Sequence, residues 1–279
     1  MQDSGGVPDR PWTQPWYYTP DGDPTVLIYF IFIHAMALTG ILLFPLPGWP
    51  VFLTTIALTC IGGLGTTLAY HRGLSHRAFT LNPIIEQFLI FFTVFNGSGI
   101  PTKWVANHRY HHANSDTLQD ISSPRFGGFW WSHIRCLYQL PPLSVERWSP
   151  DLLKRRYTIW EKIQPYILIA ALFGGWFAYG WAGLFWIGAI RLTYSLHLQA
   201  AVNSVLHMKP NIPIGEESAR NIGWLGPFQL TAWGENWHEN HHASPSAARF
   251  ARKWWQIDIG WYTVCVLRTL GLASKVRRN

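Results

Sequence analysis

Nine of the chain's twelve histidines fall in four tight groups. His71 and His76 lie in HRGLSH, His108, His111 and His112 in HRYHH, His207 closes NSVLH, and His238, His241 and His242 lie in WHENHH. A neutral imidazole is the commonest side-chain metal ligand. On an α-helix, positions i, i+3 and i+4 share a face with Cβ atoms about 5–6 Å apart, so each HxxHH aims three imidazoles at one region. His71 and His76, five apart, diverge more, which suits ligands addressing two metals or a helix that ends between them. Nine imidazoles exceed the roughly four to six ligands of one ion, so two metals are expected. Imidazole suits iron, zinc and copper alike, and ligand type leaves the metal open. Asn107, Asp116, Glu235, Asn236, Glu239 and Asn240 stand close enough in sequence to orient the rings.

What holds these groups is apolar. The 279 residues are 48% hydrophobic and only 13% charged, about half the charged share of soluble domains. Seventeen Trp fit rings anchored at a membrane interface. The three cysteines (Cys60, Cys136, Cys265) are far apart and form no CxxC pair, so neither a disulfide framework nor a zinc ribbon is expected. Uncharged stretches at 25–44 and 51–70 are each about long enough to cross a bilayer as a helix. PLPGWP (45–50) turns the chain between them. Further spans are expected at 166–180 and 181–206. Residues 81–95 are apolar but shorter and carry Glu86, which reads as an interfacial or re-entrant helix. The expected fold is an all-α membrane protein: a tail over 1–24, four transmembrane helices, and a helical cap (71–165 and 207–279) holding a histidine-rich dimetal site.

Topology follows from the span count. An even number of crossings separates the N-terminal tail, the 71–164 segment and the tail from 207, placing all three on one side. Of 22 basic residues, 20 lie in the last two segments and none in the opposite turns. The positive-inside tendency makes that side cytoplasmic, with both termini and the active site there, in a bacterial cytoplasmic membrane. The N-terminal stretch lacks a basic region leading an apolar one and does not read as a cleaved signal. The histidine groups thus share one face, although histidines played no part in that count. A metal transporter would hold its ligands near the bilayer midplane, which this placement disfavours. His34 reads as a satisfied intramembrane histidine, His133 and His197 as structural or supporting, and Arg191 as a buried charge with a structural partner.

These motifs resemble the membrane fatty acyl desaturases, in particular the delta-9 acyl-lipid and acyl-CoA branch. The resemblance rests on HRGLSHRAF (71–79), NHRYHHANSD (107–116), GFWWSHI (128–134), VNSVLH (202–207), GENWHENHHASPSAAR (234–249) and WWQID (254–258), and runs from about residue 50 to 275. It implies a diiron enzyme that inserts a cis double bond, at delta-9, in a long saturated acyl chain with O2 and two electrons. The alternative is a membrane diiron hydroxylase or ketolase. By motif, two iron ions would be held by His71, His76, His108, His111, His112, His207, His238, His241 and His242, with Asn203 acting through a water.

The resemblance also implies a bent acyl tunnel beneath the metals. Trp104, four before His108, matches the family's tryptophan at the kink. Its usual glutamine and threonine partners are replaced by Ser98 and Gln199, as though the amide had changed sides. Thr59, twelve before His71, stands where animal members carry a bulky aromatic. It shares a helix stripe with Gly63, so a more open tunnel end is expected. SDTLQD (115–120) replaces the usual DPH-type turn.

Taking hydrogen from unactivated methylenes is beyond amino-acid acids and bases, so a metal–oxygen oxidant must do it while the protein positions the chain and keeps water away. No haem, flavin or iron–sulfur segment supplies electrons, so an external donor such as a ferredoxin or a b-type cytochrome is expected. The cap segments carry 11 basic against six acidic residues and nine against five. That face suits an acidic donor or anionic headgroups and, divided around spans, not nucleic acid. The substrate is expected as a CoA thioester or a glycerolipid.

Overall fold

The computed structural model describes residues 11–19, 22–209, 211–213, 216–226 and 230–278. The first ten residues of the expected N-terminal tail lie outside these. Helix α1 (Pro24–Leu43) starts on Asp23, whose side chain accepts the Thr25 N–H, with proline in the first turn. This is a good N-terminal cap. Ile28, Ile31, Leu38, Ile41 and Leu42 are exposed on it, an apolar exterior that suits lipid. After the PLPGWP turn, α2 (Trp49–Gly65) runs directly into a π-helical segment, Thr66–Ser75. The stretch Trp49–Ser75 is thus longer than the expected 51–70 and carries His71 inside it.

Three stretches are long and apolar enough to cross a membrane: Pro24–Leu43, Trp49–Ser75 and Arg155–His207. The expected third and fourth spans are joined without a loop, so the third stretch covers both. It folds back on itself, because α8 (Arg155–Gly183) leaves helical geometry at Tyr179 and Gly180, the latter at φ +63°. Glycine takes that angle without strain. The arms then touch backbone to backbone: a Cβ on Gly175 would sit 2.3 Å from the Gly183 carbonyl oxygen, and one on Gly188 2.6 Å from that of Leu172. The return arm continues through a π-helical turn, Leu184–Ile190, into α9 (Arg191–Ser204) and a short 3-10 turn, Val205–His207.

The shorter helices lie mostly in the segments expected to form the cap. In chain order they are α3 (Pro83–Phe95), α4 (Pro101–Asn114), α5 (Pro124–Trp130), α6 (Cys136–Gln139) and α7 (Val145–Trp148) before α8. After α9 come α10 (His238–Ala243) and α11 (Ile259–Thr269). Helix α3 buries Leu89, Ile90, Thr93 and Val94 while exposing Ile84, Phe88 and Phe91, as an interfacial helix does. The main buried cluster joins the π-helical segment to α3, α4 and α8 through Leu68, Tyr70, Ile90, Val105 and Tyr157. A two-residue antiparallel pair, β1 (Thr80–Leu81) with β2 (Ala273–Ser274), closes the C-terminus onto the cap, Thr80 opposite Ser274.

Arg191 has the partners expected of a buried structural charge. Its guanidinium donates to the Asn96 Oδ1 (2.7 Å) and to the carbonyls of Ile187, Phe95 and Ala171.

Candidate metal centre

All nine histidines of the four motifs come together, in two sets. One set is His71, His76, His108, His112 and His241; the other is His111, His207, His238 and His242. Within each set the nearest ring nitrogens lie within 4.8 Å of one another. Neither HxxHH serves a single ion. On α4, His108 and His112 join the first set while His111, one position from His112, turns to the second. On α10, His241 joins the first while His238 and His242 join the second. Residues i and i+4 point one way and i+3 is displaced around the helix, so one turn can divide its imidazoles between two targets.

His71 and His76 do not address different metals. The π-helical segment explains this: its wider turn hydrogen-bonds residues five apart, here the His76 N–H to the His71 carbonyl (3.2 Å), and brings both rings to one side. A regular α-helix running through both would have splayed them.

In four of the nine rings the hydrogen bonds indicate which nitrogen is bare. His71 Nδ1–H donates to Glu235 Oε2 (2.6 Å), His111 Nδ1–H to Asp120 Oδ2 (3.0 Å), His242 Nδ1–H to Glu217 Oε2 (2.8 Å) and His207 Nδ1–H to Ser218 Oγ (3.2 Å). A ring that donates at Nδ1 to an anion or hydroxyl and stays neutral has its lone pair on Nε2. Those Nε2 atoms face other imidazole nitrogens at 2.9 Å (His71 to His241) and 3.0 Å (His207 to His238), and the buried Nε2 of His111 has no hydrogen-bond partner. Lone pairs that converge while buried are costly unless a cation sits among them. The residues therefore fit two metal ions, one with five imidazoles and one with four.

Electrostatics keep most rings neutral. Burial, with the surrounding imidazoles, holds His108, His112, His238, His241 and His242 well below the ordinary imidazole value. His111 is the exception: burial disfavours its charge, but the Asp120 carboxylate beside it outweighs that and raises its pKa. Burial likewise opposes ionisation of Asp120 and Glu235, yet His111 and His71 hold their carboxyls below the usual range.

Of the supporting residues expected from sequence, Glu235 orients His71 and also accepts from Thr67. Asp116 accepts from the Ser218 N–H and hydroxyl beside His207. Asn236, Glu239 and Asn240 bind Ile222, Asn221, Phe250 and Gln256 instead. Asp120 and Glu217 were missed. Asp120 sits nine residues past His111, where the SDTLQD turn folds back with Asp116 at φ +56°, and its N–H donates to the Asp120 carboxylate (3.2 Å). The departure from a DPH-type turn therefore builds support for a ligand. Asn203 stands one helical turn before His207 on α9.

The tunnel candidates lie beside these sets. Trp104 stacks on His108 with centroids 5.0 Å apart. Gln199 Nε2 donates to Ser98 Oγ at 2.8 Å, so the amide does reach across to the serine. A narrow cavity of about 40 Å³ runs past Gly63, Thr67, Leu198, Gln199, Trp233 and Glu235. Thr59 is buried, its hydroxyl donating to the Thr55 carbonyl, and does not line that cavity. The opening expected along the Thr59–Gly63 stripe is met at Gly63 by Trp233, whose ring would lie 2.2 Å from a Cβ there.

The other three histidines stay outside both sets and bond in a line. His34 Nδ1–H donates to the Phe30 carbonyl, its Nε2 faces His197 (2.8 Å), His197 faces His133 (2.9 Å), and His133 meets Ser204 (2.8 Å). This ties α1, α9 and the π-helical turn Trp131–Arg135 together, a structural use for all three.

Comparison with known proteins agrees with this geometry. The family model for fatty acid desaturases matches residues 47–261. The chain is 34% identical to delta-9 acyl-lipid desaturase 1 of Arabidopsis thaliana over 88% of its own length and 81% of that protein. It is 33% identical to the sn-1 stearoyl-lipid 9-desaturase of Anabaena variabilis, over 90% and 92%. It is also 33% identical to the acyl-CoA C20 delta5-desaturase of Anemone leveillei, over 95% and 84%. By that match and these identities, the chain belongs to the fatty acid desaturase family.

Proposed function

We propose that this fatty acyl desaturase holds two iron ions and inserts a cis double bond at delta-9 of a long saturated chain, carried on CoA or a glycerolipid. The observation that carries the metal reading is the convergence of bare imidazole nitrogens in sets of five and four. When bound, the metal pair supplies an O2-derived oxidant strong enough to take hydrogen from methylene carbons. The chain's own residues do the rest. Glu235, Asp120 and Glu217 fix ring orientation at Nδ1, as outer carboxylates do in metal sites. Asn203 holds a water against the four-histidine set. Trp104, Ser98 and Gln199 shape the acyl path beside the five-histidine set, and the apolar cavity to Trp233 keeps water from the reacting carbons. Relatives named for position 9 support the regiochemistry, and Gln199 bonded to Ser98 restores a polar contact at the kink.

The reading has four crossings, with both termini and the histidine sets on the cytoplasmic face of a bacterial membrane; the break at Tyr179–Gly180 supports counting the third long stretch as two. Ferredoxin or a b-type cytochrome supplies the electrons. The test is fatty-acid methyl ester profiling, with double bonds located by mass spectrometry, in a host lacking desaturases and supplied with ferredoxin. A delta-9 monoene made by the wild type and absent in His111→Ala is expected. A hydroxylated product, or the same monoene from both, overturns the reading.

A further inference from the structure

One exposed strip of the cap is built differently from the rest, and it leads inward. Residues 249–255 read RFARKWW, and Arg249, Arg252, Lys253, Trp254 and Trp255 are all exposed. Trp254 is 92% exposed, an extreme value for a tryptophan. Among the described residues none of the three cations forms an ion pair. Arg252 is steadied by the Asn240 carbonyl and Ser244 hydroxyl. The C-terminal segment adds charge alongside, since the Ala248 N–H donates to the Arg277 carbonyl (3.0 Å) and Arg277 and Arg278 are exposed. Glu239 is the exposed acid on the neighbouring α10.

Beneath the strip the rings are continuous with the metal ligands. Trp255 meets Trp237 edge to face with centroids 5.4 Å apart. Trp237 is 1% exposed, adjoins His238 in sequence, and donates from its indole to the Ile257 carbonyl. It packs with Phe250 in one buried cluster, and the Phe250 ring lies 4.4 Å from that of His241. Three packed rings thus span the distance from solvent to a ligand of the five-histidine set.

We propose that this strip is the landing face for a small acidic one-electron carrier, and that Trp255 and Trp237 form the inward path for its electrons. The inference rests on the desaturase reading above. Each docking oxidises the carrier by one electron and reduces the metal pair by one, with no bond made or broken in the rings. Two dockings supply the two electrons that, with two protons and the two hydrogens taken from the chain, reduce O2 to two waters. An unpaired basic rim around a protruding aromatic matches such a partner: the charges steer and orient it, the outward Trp254 ring supplies contact, and Trp255 faces inward onto Trp237. Electron-transfer encounters are small and transient, which suits a strip of seven residues. A purely lipid-anchoring strip would not need the buried ring sequence behind it.

The probe is plant-type ferredoxin, with the full chain in nanodiscs. Binding of oxidised ferredoxin by the metal-loaded protein is read by calorimetry at two salt concentrations. Arg249→Glu with Lys253→Glu should weaken ferredoxin binding at least tenfold at low salt and flatten its salt dependence. Trp255→Leu should leave binding within about twofold while slowing ferredoxin oxidation by the metal-loaded enzyme at least tenfold, with dithionite-driven turnover and metal content unchanged. Unchanged binding in the double variant, or unchanged oxidation in Trp255→Leu, overturns the proposal. So does a double variant that loses only its affinity for phosphatidylglycerol vesicles, which would make the strip a lipid anchor. A wild type that binds ferredoxin yet makes no monoene with dithionite contradicts the desaturase reading and not the docking face.

Discussion

The most exposing perturbation is Asp258→Asn, three positions past the tryptophan pair. Asp258 and Arg72 form a bidentate ion pair at 2.8 and 3.3 Å, both side chains fully buried. Arg72 also donates to the Ala248 and Trp233 carbonyls and lies 3.8 Å over the Phe250 ring. Asp258 in turn accepts the N–H groups of Phe250 and Trp261. The pair therefore clamps the segment carrying His71 to the two loops that flank the C-terminal histidines. Asparagine keeps the shape and one acceptor but leaves the guanidinium uncompensated and turns an NH2 toward two donors. Breaking a buried pair costs about 3–5 kcal/mol, and the remaining oxygen puts this case near 3. At roughly 2–4 °C per kcal/mol, the midpoint should fall by about 6–12 °C in a thermal melt of detergent-solubilised protein. Metal should be lost faster to a chelator, because the His71 and His241 segments are no longer held in register. Arg72→Met with Asp258→Leu should recover part of the loss, since apolar side chains leave no charge stranded. A midpoint within 2 °C of wild type for Asp258→Asn, or a double variant worse than the single, would refute the clamp.

Two further outcomes follow from the metal centre. A ligand imidazole must be neutral, so burial that lowers a pKa protects metal binding into acid, whereas the raised pKa of His111 surrenders it first. On acidification from pH 7 the four-histidine set should therefore release metal before the five-histidine set, seen as a two-step loss of zinc in stepped dialysis; simultaneous release would count against it. Along the acyl path, Trp233→Ala should remove the ring beside Gly63 and shift products toward longer chains. An unchanged chain-length profile would show that the cavity is not the tunnel end.

Much of the centre was legible because its signals are local. Histidine type and spacing picked out the nine histidines that the fold gathers, and the apolar runs found the helices that carry them. The division into five and four was not legible, because it depends on where segments far apart in sequence bring His71, His76 and His207 against α4 and α10. The pairing of His71 with His76 needed the π-helical segment, whose wider turn leaves no mark that distinguishes HRGLSH from an ordinary helix end. Asp120 and Glu217 escaped for a related reason: each reaches its ring by a loop fold, and acids in loops are usually solvated. Trp233 escaped because the tunnel was read along one helix, while its wall comes from another part of the chain.

The interleaving of the two sets has a consequence for assembly. His71 and His241 meet across 170 positions, and His207 and His238 across 31. Each metal therefore needs the end of the π-helical segment, α4, the end of α9 and α10, in different combinations. No single motif supplies a whole set, and neither HxxHH can be docked wrongly without disturbing both sets. Before metal enters, buried lone pairs face one another at about 3 Å, each unsatisfied group costing about 1–3 kcal/mol. Metal relieves that cost only when the cap is already closed over the helix ends, with Arg72 on Asp258 and β2 on β1. Binding free energy then becomes folding free energy for the cap. With two metals bound, the oxidant they would supply could then arise only in a chain whose cap is already closed over the helix ends.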